Sequence, residues 1–150
     1  MLDWIDVILR LGAAALIGGA IGVNRDLHHK PSGLRTLSLV GLGSALVMLV
    51  ATSSSIDPNA ESRALQGVIT GIGFLGGGVI IQEASSAKVR GLTTAAAIWV
   101  TACLGCACGL GAWRLAIVAT TIAGIVLLFG AGLERVLHRR LAPHDKSFDD

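Results

Sequence analysis

The sequence predicts an all-α, polytopic membrane bundle of five transmembrane helices. Three observations point there. The chain is 53% hydrophobic and 15% charged, where soluble globular domains carry about 25% charged residues. Four windows, 36–56, 64–82, 91–113 and 115–133, hold no charged residue. Each is 19 to 23 residues long, and a spanning helix needs about 20. A 150-residue chain that commits this much of itself to apolar windows has no room for a soluble domain.

The elements follow in order. Helix one is expected near 5–24. Its uncharged part, 11–24, is short, so Asp6 and Arg10 belong at the interface, Arg10 snorkelling on its aliphatic stem. Asp3 and Asp6 replace the basic start of a signal peptide, and Arg25-Asp26 stand where small cleavage-site residues would be, so removal of this helix is not expected. Pro31 disfavours helix at Lys30 and supports a turn. Helix two follows near 34–54. The polar stretch "TSSSIDPNAES" then turns the chain, and helices three, four and five are expected near 64–82, 91–111 and 114–133. Residues 134–150, basic then acidic, are expected to form a tail.

Lys and Arg set the orientation, because cytoplasmic loops carry the excess. The 26–33 loop, the 83–91 loop and the tail, with their flanks, hold Arg25, Lys30, Arg35, Lys88, Arg90, Arg135, Arg139, Arg140 and Lys146. The opposite side holds Arg10, Arg63 and Arg114. The N-terminus is therefore expected outside and the C-terminal tail in the cytoplasm. The net charge of +2 is this topological bias, and no nucleic-acid partner follows from it.

Within "GIGFLGGG", Gly71, Gly73 and Gly76 spell G-x-G-x-x-G. A dinucleotide loop needs a strand before it, a helix after it and an acid about 20 residues on. Here the motif sits inside an uncharged window, and "GLTTAAA" stands where the acid should be. Membrane helices give these glycines another use, since small residues let backbones approach where lipid supplies no hydrophobic drive. Gly67-xxx-Gly71 and Gly73-xxx-Gly77 mark helix three, Gly18-xxx-Gly22 helix one and Gly105-xxx-Gly109 helix four. "GIGFLGGG" is thus expected to be a packing surface at the centre of the bundle. Gly76-Gly77-Gly78 either only pack or also bend the helix and free carbonyls.

A faint repeat joins "NRDLHHKPSGLRT" to "QEASSAKVRGLTT", matching Gly33 with Gly91 and Thr36 with Thr94. Both segments link helix pairs at the expected cytoplasmic edge. There the ionisable residues Arg25, Asp26, Arg35, Glu83 and Arg90 fall at one level, with Asn24, Thr36, Gln82, Thr93 and Thr94 beside them. Charges at membrane depth are candidates for function, although interfacial Arg and Lys also simply anchor helix ends. Three cations against two acids do not make an all-oxygen cage for a divalent metal. His28-His29 in the loop and Cys103, Cys106 and Cys108 in helix four complete the reactive groups. Loop histidines usually hold no metal, and cysteine in a helix is usually a small buried residue. No cofactor and no metal site is expected, and no nucleophile–base pair suggests an enzyme.

The segments "IGGAIGVNRD…SGLRTLSLVGLGSAL" and "GVITGIGFLGGGVIIQE…VRGLTTAAAIWVTACLGCACGLG" resemble the MgtC/SapB family of bacterial membrane proteins over about residues 10–133. Gly-Leu-Arg-Thr, Gly-Ile-Gly-Phe-Leu-Gly and Val-Arg-Gly-Leu-Thr-Thr-Ala, in this order and spacing, carry the resemblance. It implies a five-helix, multi-pass inner-membrane protein with an external N-terminus. It also implies a link to magnesium homeostasis and growth at low magnesium; well-known members are thought to inhibit the proton-translocating ATP synthase. The family usually has Glu-Arg at the end of helix one, where this chain has Asn24-Arg25, with Asp26 one residue later and in a different direction. Many members carry a cytoplasmic C-terminal domain. The sequence stops at Asp150 without one, so the short, SapB-like form is expected.

These readings converge on a non-enzymatic membrane protein that supports magnesium homeostasis through contact with another membrane protein, in the lipid bilayer, with a homodimer permitted. The alternative is a small ion or solute transporter with Glu83 and Asp26 as coupling groups.

Overall fold

The computed structural model describes residues 3–53, 59–83 and 91–141. Five helices follow one another: α1 (Trp4–Leu27), α2 (Leu34–Thr52), α3 (Ala60–Glu83), α4 (Leu92–Gly109) and α5 (Trp113–Leu141). All five are long and apolar enough to cross a membrane, as a chain with no water in its surroundings must satisfy its backbone within each helix. Three helices run past their expected bounds, and α1 continues to Leu27, taking in Arg25 and Asp26. α3 begins at Ala60, where the Arg63 amide reaches the Asn59 carbonyl at 3.1 Å. α5 continues past 133 into the stretch expected to be a tail, because "ERVLHRRL" contains good helix formers and no breaker before Pro143.

The centre is α4. Of its membrane-spanning window 61% is buried, against 11% for α3 and 6% for α5. α4 presents Ile98, Thr101, Ala102, Leu104 and Cys108 to its neighbours, all at 3% exposure or less. Small residues make this possible. A Cβ on Gly109 would stand 2.5 Å from the Ala45 carbonyl oxygen and 2.9 Å from Met48 Cβ; one on Gly105 would meet the Gly41 carbonyl and, at 2.9 Å, Ser44 Cβ. α4 and α2 therefore run parallel, backbone against backbone. α1 crosses α2 in the opposite sense: Gly18 abuts the Leu37 backbone, Gly22 lies so that a Cβ would be 2.6 Å from Leu34 Cα, and Gly41 faces the Ala14 carbonyl. Leu37, Ile21, Ile72, Ile98 and Leu104 fill one core cluster, and Ala14, Ala45, Cys108 and Ala116 the other.

α3 corrects the expectation of a central glycine surface. Its inward face is Val68, Ile72, Gly76 and Val79, at helical spacing. Against the described residues, Gly76 alone among its glycines touches a neighbour, with Ala95 Cβ 3.4 Å from the place a Cβ would take. Among the described residues, Gly67, Gly71, Gly73, Gly77 and Gly78 meet nothing within 4 Å. The 3.6-residue repeat that brings Ile72 and Gly76 onto α4 turns Gly73 and Gly77 outward. α3 is one unbroken helix through Gly76-Gly77-Gly78, so these glycines neither break it nor form the bundle centre.

Candidate functional site

One end of the bundle carries the polar cluster. Arg25 lies in the last turn of α1 and is 4% exposed. Its Nη2 donates to the hydroxyl of Thr94, itself 2% exposed, in the first turn of α4. The pair ties the end of α1 to the start of α4 across 69 residues of chain. A guanidinium at a helix C-terminus also faces the negative end of the helix dipole. Inside a membrane protein such a buried charge is tolerated only with partners of this kind.

Asp26, the next residue, has a different task. Its carboxylate accepts the Leu34 amide at 2.9 Å, capping the first turn of α2 from the end of α1. The turn between them closes tightly: the Lys30 amide returns to the Arg25 carbonyl at 3.0 Å, and His29 and Ser32 take positive φ of 50° and 63°. A Cβ on Gly33 would overlap the Asp26 carboxylate where it now stands, so a side chain there would displace the cap. His28 Nδ1 donates to the Asn24 carbonyl at 2.7 Å. Asn24 and Asp26 point to opposite sides of α1, as two helical steps of about 100° each dictate.

Among the described residues, members of the expected cluster line two separate hollows at the same end of the bundle. Arg35 and Thr36 are exposed on α2 and line a groove of about 560 Å³ against α3, whose walls are Val40, Val47, Ile72 and Leu75. Asn24, Arg25 and Thr93 line a separate cavity of about 370 Å³ on the α5 side. Gln82 and Glu83 close α3; their side chains, and all of Arg90, lie outside the described residues. The repeat holds in part: Gly33 and Gly91 each precede a helix, but Gly91 has φ 87° and Gly33 does not, and Thr94 is buried where Thr36 is exposed.

The opposite end holds a device that the sequence reading missed. Arg10 Nη1 donates to the Gly109 carbonyl at 3.0 Å, and Nη2 pairs with Asp6 at 2.9 Å. The guanidinium thereby satisfies the last turn of α4 and lies under Gly111, whose φ of 72° and 2.9 Å clearance to Arg10 Cζ exclude a side chain. Nothing in the spacing of Arg10 and Gly109 announces this, because they are 99 residues apart. The three cysteines are free thiols along α4. Among the described residues no group of three His, Cys, Asp or Glu is placed to hold a metal.

The chain matches the model of the MgtC family over residues 11–136, which include both the Arg25–Thr94 pair and most of all five helices. It is 42% identical over 145 residues to the protein SrpB of Synechococcus elongatus, covering 89% of this chain and 80% of SrpB. It is 44% identical over 115 residues to the protein MgtC of Salmonella typhimurium, covering 77% of this chain but only 48% of MgtC, so it spans about half the length of that relative. YhiD of Escherichia coli, whose name proposes a magnesium transporter, is 40% identical over 129 residues, covering 81% of this chain and 59% of YhiD. No solved structure matches the chain. With the family model matched across nearly the whole membrane part, and relatives at this identity over most of its length, the chain belongs to the MgtC family.

Proposed function

We propose that this protein supports magnesium homeostasis and growth when magnesium is scarce, without enzymatic activity, by contact with another membrane protein. It is a multi-pass protein of the bacterial inner membrane. The magnesium link is drawn from the family and from the name of YhiD. An external N-terminus is supported by the nine Lys and Arg on the α1–α2 and α3–α4 side, tail included, against three on the other. One observation favours contact as the mode of action. α3 turns Gly73 and Gly77 outward together with Phe74, which is 85% exposed. Small residues beside a large aromatic on a lipid-facing helix suit close approach of a second membrane helix.

Growth across a magnesium titration tests the reading. A strain lacking the gene is expected to grow poorly only at low magnesium, and wild-type protein is expected to restore growth. Gly73→Leu is expected to fold and reach the membrane yet fail to restore it. Unchanged growth in the deletion strain overturns the magnesium link; full rescue by Gly73→Leu overturns the α3 contact. Transport with Glu83 and Asp26 as coupling groups is the second reading. It suits Asp26 less well, since that carboxylate already caps α2. Flux of a divalent cation or proton in proteoliposomes, abolished by Glu83→Gln, would establish transport instead.

A further inference from the structure

α5 leans against α4 along a row of small residues without closing on it. Between them lies an apolar groove of about 400 Å³, walled by Ile21 of α1, Ala96 and Val100 of α4, and Ala119, Ala123 and Val126 of α5. At the end near the α1–α2 turn it meets the cavity of about 370 Å³ described above. The two share Thr93, Val126 and Leu127, and the second adds Arg25, His28 and Lys30. The result is one continuous cleft with an apolar shaft and a cationic mouth. No carboxylate is among the described residues lining either part.

The dimensions are those of one leaflet. From Ala119 to Gly130, the limits of the cleft on α5, a helix rises about 16 Å at 1.5 Å per residue. The hydrocarbon core is about 30 Å thick, so a leaflet is about 15 Å. An empty apolar cleft facing lipid fills with chains, and a basic pocket between helices at the membrane surface attracts anionic headgroups.

We propose that the α4–α5 cleft holds a phospholipid with an anionic headgroup. An acyl chain lies between Ala96 and Ala123, and the phosphate sits at the mouth with Lys30 and the Arg25 edge, the Thr93 hydroxyl beside it. Bound there, the lipid bridges α5 to the α1–α4 core, which α5 otherwise touches mainly through Ala116, Ala119 and Leu127. The site needs only that the α1–α2 turn lie at a membrane surface, and it stands or falls independently of the magnesium role.

Thermal unfolding and native mass spectrometry of the detergent-purified protein test it. The probes are phosphatidylglycerol, phosphatidylcholine of the same chains, and inorganic phosphate. Phosphatidylglycerol is expected to stay bound and to raise the unfolding temperature, and the other two are not. Lys30→Gln removes one cation from an exposed turn without touching the core, and is expected to weaken phosphatidylglycerol binding about fivefold. Ala123→Phe fills the shaft and is expected to displace the lipid while the folded protein persists. Equal binding of both lipids overturns the anionic headgroup. Stabilisation by inorganic phosphate alone means a soluble anion occupies the mouth and overturns the lipid. Unaltered binding in both variants places the lipid elsewhere on the bundle and overturns the site.

Discussion

Gly105→Ala sets two known effects against each other, and the structure decides which wins. In a helix interior, alanine is favoured over glycine by about 0.8–1.0 kcal/mol. At Gly105 the added methyl would meet the Gly41 carbonyl of α2, with Ser44 Cβ at 2.9 Å and Gly41 Cα at 3.0 Å. Comfortable carbon–carbon contact is about 3.5–4.0 Å, so α2 and α4 must part by about 0.5–1 Å. Most of what the methyl strikes is backbone, which cannot rotate away. A radial gap of that size forfeits about a quarter to a half of each lining contact, and the interface it opens includes Ala45, Met48 and Cys108, all buried. Overpacking of this kind costs about 1–3 kcal/mol. With both ends of the α2–α4 seam equally tight, the upper half of that range applies and outweighs the helix gain. The net expectation is a loss of about 1–2 kcal/mol. Gly73→Ala is the matched control: nothing among the described residues stands within 4 Å, so the helix term acts alone and stability is unchanged or raised. Thermal unfolding in one detergent, followed by tryptophan fluorescence, compares the two. A Gly105→Ala protein as stable as wild type, or a Gly73→Ala protein as damaged as Gly105→Ala, refutes the placement of α4 at the centre and α3 at the edge.

Two further outcomes are expected. Asp26→Ala loses the cap on Leu34 and is expected to cost about 1 kcal/mol, whereas Asp26→Asn keeps an acceptor oxygen and is expected to stay near wild type in unfolding and in low-magnesium growth; loss of growth in Asp26→Asn at normal stability would assign the charge itself a function. Thr94→Val is expected to destabilise by about 1.5–3 kcal/mol because it removes a partner of a buried guanidinium, while Thr101→Val, which loses only the bond to its own helix's Ala97 carbonyl, is expected to cost less than half as much; equal losses would deny the Arg25–Thr94 pair its role.

The site was only partly legible beforehand. Arg25 and Thr94 stand in the group of edge residues singled out from the sequence, but nothing there distinguished Arg25, which is buried, from Arg35, which is exposed. Both are arginines next to an apolar window. Their difference comes from α1 ending against α4 while the first turn of α2 faces a groove. Asp26 looked like a charge available for coupling; the backbone turn at Gly33 brings it onto the Leu34 amide instead. Arg10 reads as an interfacial anchor beside Asp6, and its second partner, the Gly109 carbonyl, is set by two helices meeting at their ends.

The sequence by itself determined the five spans, their alternation and the family. These are sums over local residues: an uncharged window of about 20 apolar side chains is lipid-soluble wherever it sits. The tertiary structure alone decided that α4 is central, that Gly105 and Gly109 pack while Gly73 and Gly77 face outward, and that a cleft opens beneath Arg25 and Lys30. The reason is physical. In water an amphipathic stripe tells a helix which face to bury. In lipid both faces are apolar, so the choice falls to the fit of one backbone against another, and only the assembled bundle contains that fit.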